Sequence, residues 1–167
     1  MIGVEWVRMM ARYNAWQNEQ VMVAVRRLPP QELTQDRGAF FGSILGTLNH
    51  LVWGDMMWTS RFDGGPEPEV SMKEAPGWFP TAGAWEAARF QLDGRIKIWA
   101  AALREIDLVG DLEWYSKAYD ATYRKPMGVC VMQLFNHQTH HRGQVHAMLT
   151  SIGADPGVTD LPFLPGN

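Results

Sequence analysis

Apolar residues recur at helical spacing through most of the chain, and the stretches between these periodic runs are rich in Pro and Gly. Residues 3–27 place Trp6, Met9, Met10, Tyr13, Trp16, Met22 and Val25 mostly on a helical period, and Pro29-Pro30 prevents continuation, which predicts a first helix over 3–27. Ser43 suits the cap of a second helix over 43–62, which carries Leu48, Leu51, Asp55 and Trp58 and is closed by a Gly-Gly-Pro segment. Prolines at 66, 68, 76 and 80 mark a loop, after which Thr81 caps a third helix over 82–106. The run LEWYSKAYDATYRK, within 107–125, alternates polar and aromatic positions as an extended excursion or a short hairpin would. Pro126 opens a fourth helix over 126–151, Gly153 stops it, and 153–167 form a Pro/Gly-rich tail.

Four helices, each with one apolar face, pack most economically as a four-helix bundle, so the fold class expected is all-α. The linkers 64–80 and 107–125 exceed a tight helix connection and allow long crossovers between non-adjacent helices. With 167 residues, 46% of them hydrophobic and 20% charged, the chain suffices for one domain over 1–167 with a substantial core. A net charge of -3 without a basic run argues against nucleic acid as a partner. Cys130 is the single cysteine, which excludes an intramolecular disulfide and a cysteine-rich zinc site and fits a reducing compartment. Glu5, Arg8 and Arg12 stand where a secretory signal would be apolar, and no uncharged stretch is long and apolar enough to span a membrane. The expected location is the cytoplasm.

Four of the five histidines fall in NHQTHHRGQVH, residues 136–146, on the fourth predicted helix. At about 100° per residue from His137, the apolar stripe of Cys130, Leu134, Val145, Met148 and Ile152 lies between about 20° and 80°. His141 falls at about 40°, inside that stripe, with His137 on its edge, His140 near about -60° and His146 near about 180°. His137 and His141 thus point inward together and His146 points out. Two imidazoles at i and i+4 offer the geometry for chelating a metal, although two core histidines bonded to buried polar groups fit the same pattern.

A metal needs a third protein ligand, and His50 is the only histidine elsewhere. It sits beside Ser43, Gly46, Thr47 and Gly54, small residues that permit close approach of another helix, but about 120° from its own helix's apolar stripe, where a half-exposed surface histidine would also lie. Asp55 falls within that stripe, as an acceptor for an imidazole N–H behind the ligands, a weaker ligand itself, or the partner of a buried Arg. Gln144 is placed to contact a metal-bound water or a substrate, whereas Arg142 and His146 are expected to face solvent or a partner chain. No histidine has Glu three residues before it, and HExxH, Gly-x-Ser-x-Gly and phosphate-cradling glycine motifs are absent. Cys130, on the inward face, reads as a small core residue.

Together the segments YNAWQNEQV (13–21), SILGTLNHLVWGDMMWTSRF (43–62) and LFNHQTHHRGQVHAMLTSIGADP (134–156) resemble the DinB-like superfamily of metal-binding four-helix proteins. The order TLNHLVWGD then NHQTHHRGQ is the specific part. The resemblance implies a four-helix bundle with long crossovers, often a homodimer, and a three-histidine site made of His50, His137 and His141. His140 matches a position commonly histidine without being a ligand. The cofactor implied is a divalent metal ion, zinc or nickel ahead of iron.

Three neutral imidazoles with open positions form a catalytic type of metal site. Some members of the superfamily are thiol-dependent S-transferases or isomerases, which implies a small-molecule thiol and an electrophilic substrate as partners, with Gln144 and Asp55 supporting the site and Trp16, Trp53 and Trp58 as pocket walls or core residues. Metal-dependent hydrolysis is the alternative among enzymes, and a non-catalytic metal-binding stress-response protein the alternative outside them.

Overall fold

The computed structural model describes residues 2–117 and 119–166. Four long helices carry the expected apolar faces: α1 (Val4–Val25), α3 (Ile44–Asp63), α4 (Ala82–Ala102) and α5 (Met127–Ser151). The short α2 (Pro30–Thr34) follows the Pro-Pro pair, with Pro30 in the first helical position, where its missing N–H is no loss. Two strands, β1 (Asp111–Ser116) and β2 (Ala121–Pro126), pair antiparallel with Trp114 opposite Tyr123. The all-α expectation is therefore corrected to a mostly helical fold with one small hairpin, where the chain alternates polar and aromatic residues.

Side chains set several of the boundaries. Ser43 Oγ accepts the Gly46 N–H at 3.0 Å and Thr81 Oγ1 the Ala84 N–H at 3.2 Å, capping α3 and α4. Gly64 adopts φ +70°, which stops α3 in a left-handed turn. The third helix ends at Ala102, short of the expected 106, because Asp107 captures both the backbone N–H and the guanidinium of Arg104, and a 3-10 turn over Glu105–Leu108 follows.

Helix α3 packs against α4 and α5, and α1 packs against the same two helices. The core gathers Val7, Val21, Ile44, Leu48, Trp85, Ile96, Leu134, Phe135, Val145 and Leu149 from all four. The tail returns over α1. Tyr13 donates to the Thr159 carbonyl, Gln17 and Gln20 donate to that of Val158, and Leu164 is buried. Among the described residues, no helix is long and apolar enough to cross a membrane.

Candidate metal centre

The contact between α3 and α5 brings His50 against His137 and His141, and one nitrogen from each imidazole lies within 4.8 Å of the others. His50 Nε2 and His137 Nε2 are 3.0 Å apart. With nitrogen-to-ion bonds of about 2.0–2.1 Å, two nitrogens on one tetrahedral ion stand about 3.3 Å apart, so this pair needs little adjustment to share an ion, while the trio as a whole, within 4.8 Å, must draw together to do so. His50 and His141 are buried and His137 half-buried.

Two small features of the sequence make this convergence possible. Gly54 lies one helical turn after His50, and a Cβ added there would stand 2.6 Å from His137 Cε1. The absence of a side chain at Gly54 is thus what seats the His137 ring against α3. Phe41, in the loop before α3, stacks on His50 with centroids 3.7 Å apart and meets the His141 ring edge-on at 5.3 Å. It covers one side of the cluster.

Electrostatics keep the imidazoles neutral. Burial, reinforced by the neighbouring rings, lowers His50 from its ordinary value to about 3 and His137 to about 4. Burial also lowers His141, with its hydrogen bond to Gln144 acting in the opposite sense. His141 Nδ1 donates to Gln144 Oε1 at 2.8 Å, which fixes the tautomer that leaves the Nε2 lone pair free. The Nδ1 atoms of His50 and His137 are buried with no hydrogen-bond partner among the described residues, while their Nε2 atoms face each other. Three neutral nitrogen donors and no carboxylate form a set suited to zinc, nickel or iron.

The remaining candidates fall in different surroundings. Asp55 Oδ2 accepts from Arg89 Nη1 at 2.7 Å and from Gln138 Nε2, and bonds no imidazole, so of the roles the sequence left open it fills that of a buried arginine's partner. Burial raises its pKa against the opposing pull of Arg89. Arg89 also pairs with Asp93 at 2.8 Å, and Asp93 accepts from Asn18 on α1. Arg142, expected to face solvent or a partner, is buried instead: it donates to Asn14 on α1 and to Gln138, and lies over the Tyr13 ring. The chain thus threads a buried polar network through all four long helices. His146 is half-buried with its Nε2 enclosed and does not point out into water.

Of the three tryptophans, Trp53 faces His50 with near-parallel rings 6.1 Å apart and donates to the Val70 carbonyl. Trp58 belongs to a separate aromatic group with Phe62, Trp114 and Arg61, and Trp16 packs on Tyr13. His140 is exposed and edge-on to His141 at 4.7 Å, on the rim of the cluster. Phe41, Gln138 and Arg142 are the site neighbours that sequence reasoning missed. Only Phe41 had a signal, as an apolar residue two positions before the cap of α3.

No curated protein matches the chain. The crystal structure of a DinB-like protein from Bacillus cereus is similar with a TM-score of 0.64 at 19% identity, over 86% of this chain and 91% of that one, a likeness of fold. The model of the DinB family matches residues 5–166, and the chain therefore belongs to the DinB family.

Proposed function

We propose that this chain is a metal-dependent enzyme in which His50, His137 and His141 hold one divalent ion and a low-molecular-weight thiol is activated there for transfer to an electrophilic carbon. The observation that supports the reading is the meeting of three neutral imidazole nitrogens from two helices within 4.8 Å. The bound ion would supply uncompensated positive charge that acidifies a thiol in an open position. In the transfer, the thiol proton leaves to solvent, sulfur forms the new bond to carbon, and the leaving group departs with its bonding electron pair. Gln144 holds His141 in its metal-binding tautomer, Phe41 keeps water from the face of His50, and exposed His140 lies on the rim of the cluster. The proposal extends to a single four-helix domain over 1–167 working in the cytoplasm.

A second reading, a non-catalytic metal protein of the stress response, is favoured by the flat stacking of Phe41 on His50, which closes one approach. In that case the ion ties α3 to α5 and its value is stability. The test is consumption of a small thiol in the presence of an electrophilic aryl halide by zinc-loaded and nickel-loaded protein. Turnover that requires the metal and disappears in His141→Ala fits the enzyme. Metal bound at one equivalent, with a raised melting temperature and no thiol consumed, fits the second reading.

A further inference from the structure

We propose that the electrophile accepted at this centre carries a planar aromatic group and that Phe40 is the ring it stacks on. The inference rests on the metal-dependent reading above and adds a substrate class to it. Phe40 is 84% exposed, more than any other large apolar residue among the described ones. A lone apolar residue on a surface is ordinary. What singles out Phe40 is its place: its ring meets Phe41 edge-on with centroids 4.8 Å apart, and Phe41 in turn stacks on His50 and meets His141. One ring therefore separates Phe40 from two of the three proposed metal ligands.

The turn that displays Phe40 is tightly held. Residues 39–42 close on themselves, with the Gly42 N–H donating to the Ala39 carbonyl at 2.8 Å and the Arg37 N–H to the Gly42 carbonyl at 2.8 Å. Gly38 and Gly42, at φ +70° and +75°, let the chain reverse on both sides of the tip. The Ser43 N–H donates to the Phe41 carbonyl at 2.9 Å, and the Arg37 side chain is anchored on Glu32, through that residue's carbonyl at 3.0 Å and its carboxylate. The turn is thus secured by backbone bonds and by the Phe41 ring, and the Phe40 ring is left over from its construction. A side chain held on such a turn is a preorganised platform, because little freedom remains to be lost when a ligand settles on it.

The chemistry of the surroundings selects the ligand. Phe41 and Trp53 both lie near-parallel to His50, at 21° and 19°, and Trp53 is fixed by its bond to the Val70 carbonyl. Among the described residues, no carboxylate, ammonium or guanidinium group bonds to these rings or to the three histidines. Binding beyond the ion itself must therefore come from ring faces and edges, which favour a planar π-system over an aliphatic chain or a charged group. Phe40 acts in binding alone, and the bond changes are those of the transfer already described.

The experiment is calorimetric titration of the zinc-loaded full chain with two zinc-binding probes that differ by a ring, benzohydroxamate and acetohydroxamate. Phe40→Ala should weaken benzohydroxamate roughly 2- to 10-fold, the worth of one aromatic pair, and leave acetohydroxamate unchanged. Its zinc stoichiometry and melting temperature should be native, since the ring it removes is exposed. Phe40→Tyr should bind both probes as the native chain does, and so should Phe90→Ala, which removes an exposed ring from α4. In turnover, Phe40→Ala should raise KM for benzyl chloride by the same factor and leave that for butyl chloride alone. Zinc-loaded protein that binds the probes in this pattern yet consumes no thiol would overturn the enzyme reading and leave the aromatic subsite standing. Zinc-loaded protein in which Phe40→Ala weakens both probes alike, or neither, would overturn this inference alone, and a chain that takes up no zinc would overturn both.

Discussion

Replacing Gly54 by Ala adds one carbon at a place where it meets His137 Cε1 at 2.6 Å and Nδ1 at 3.1 Å. Carbon atoms in comfortable contact stand about 3.5 Å apart, so the ring must recede by about 0.9 Å. Metal-to-ligand distances tolerate about 0.2 Å, and the displacement is several times that. The retreating ring is the mobile end of a side chain, and alanine in a helix interior is favoured over glycine by about 1 kcal/mol, so the metal-free fold should be no less stable. Gly54→Ala should therefore weaken zinc binding roughly 10- to 100-fold, the range seen when the support of a ligand is disturbed, with the melting temperature of the metal-free protein unchanged or raised. Gly143→Ala, exposed on α5 with nothing near its Cβ direction, is the control and should bind as the native chain does. Competition titration against a zinc indicator reads both. Native affinity in Gly54→Ala, or an equal loss in Gly143→Ala, would refute the claim that Gly54 seats His137.

Three other perturbations probe different parts of the account. Gln144→Leu removes the acceptor of His141 Nδ1–H and should weaken metal binding roughly 10-fold or more without loss of helical signal, read by the same titration. In the metal-free protein, the unfolded chain takes up protons below about pH 6.5 that folded His50 and His137 refuse until about 3 and about 4. Stability should then be complete above 6.5 and decline as pH falls through that window. Urea unfolding at stepped pH should show a smaller decline in His50→Phe, and identical declines would contradict the burial of a neutral imidazole. Asp55→Ala leaves Arg89 and Gln138 short of an acceptor in the interior and should reduce stability by about 3 kcal/mol in urea unfolding, and a change under about 1 kcal/mol would show the network to be dispensable.

The long helices were legible because each carries an apolar stripe ended by Pro or Gly. The overshoot at the end of α4 arose because Leu103 and Ile106 continue the apolar period while the Arg104–Asp107 contact breaks the helix locally. His137 and His141 were legible for the same reason as the helices, since they share a face with Leu134 and Val145. His50 was not, because the face of α3 that meets α5 is built from small residues such as Gly54 and not from large apolar ones. Close approach to α5 and the Phe41 ring from the preceding loop cover the imidazole, and a hydropathy wheel of α3 records neither. Gln138 and Arg142 were invisible for another reason: their burial is compensated by Asp55 and Asn14 on other helices, and no pattern within one helix shows such a partner.

The central claim is that His50, His137 and His141 hold one metal ion between α3 and α5. Elemental analysis of tag-free protein, purified without chelators or a metal column and then incubated with zinc or nickel, tests it most directly when run beside His50→Ala. The account predicts about one equivalent of metal in the native chain and none retained in the variant. Metal absent from the native chain after incubation, or retained equally by His50→Ala, would contradict it.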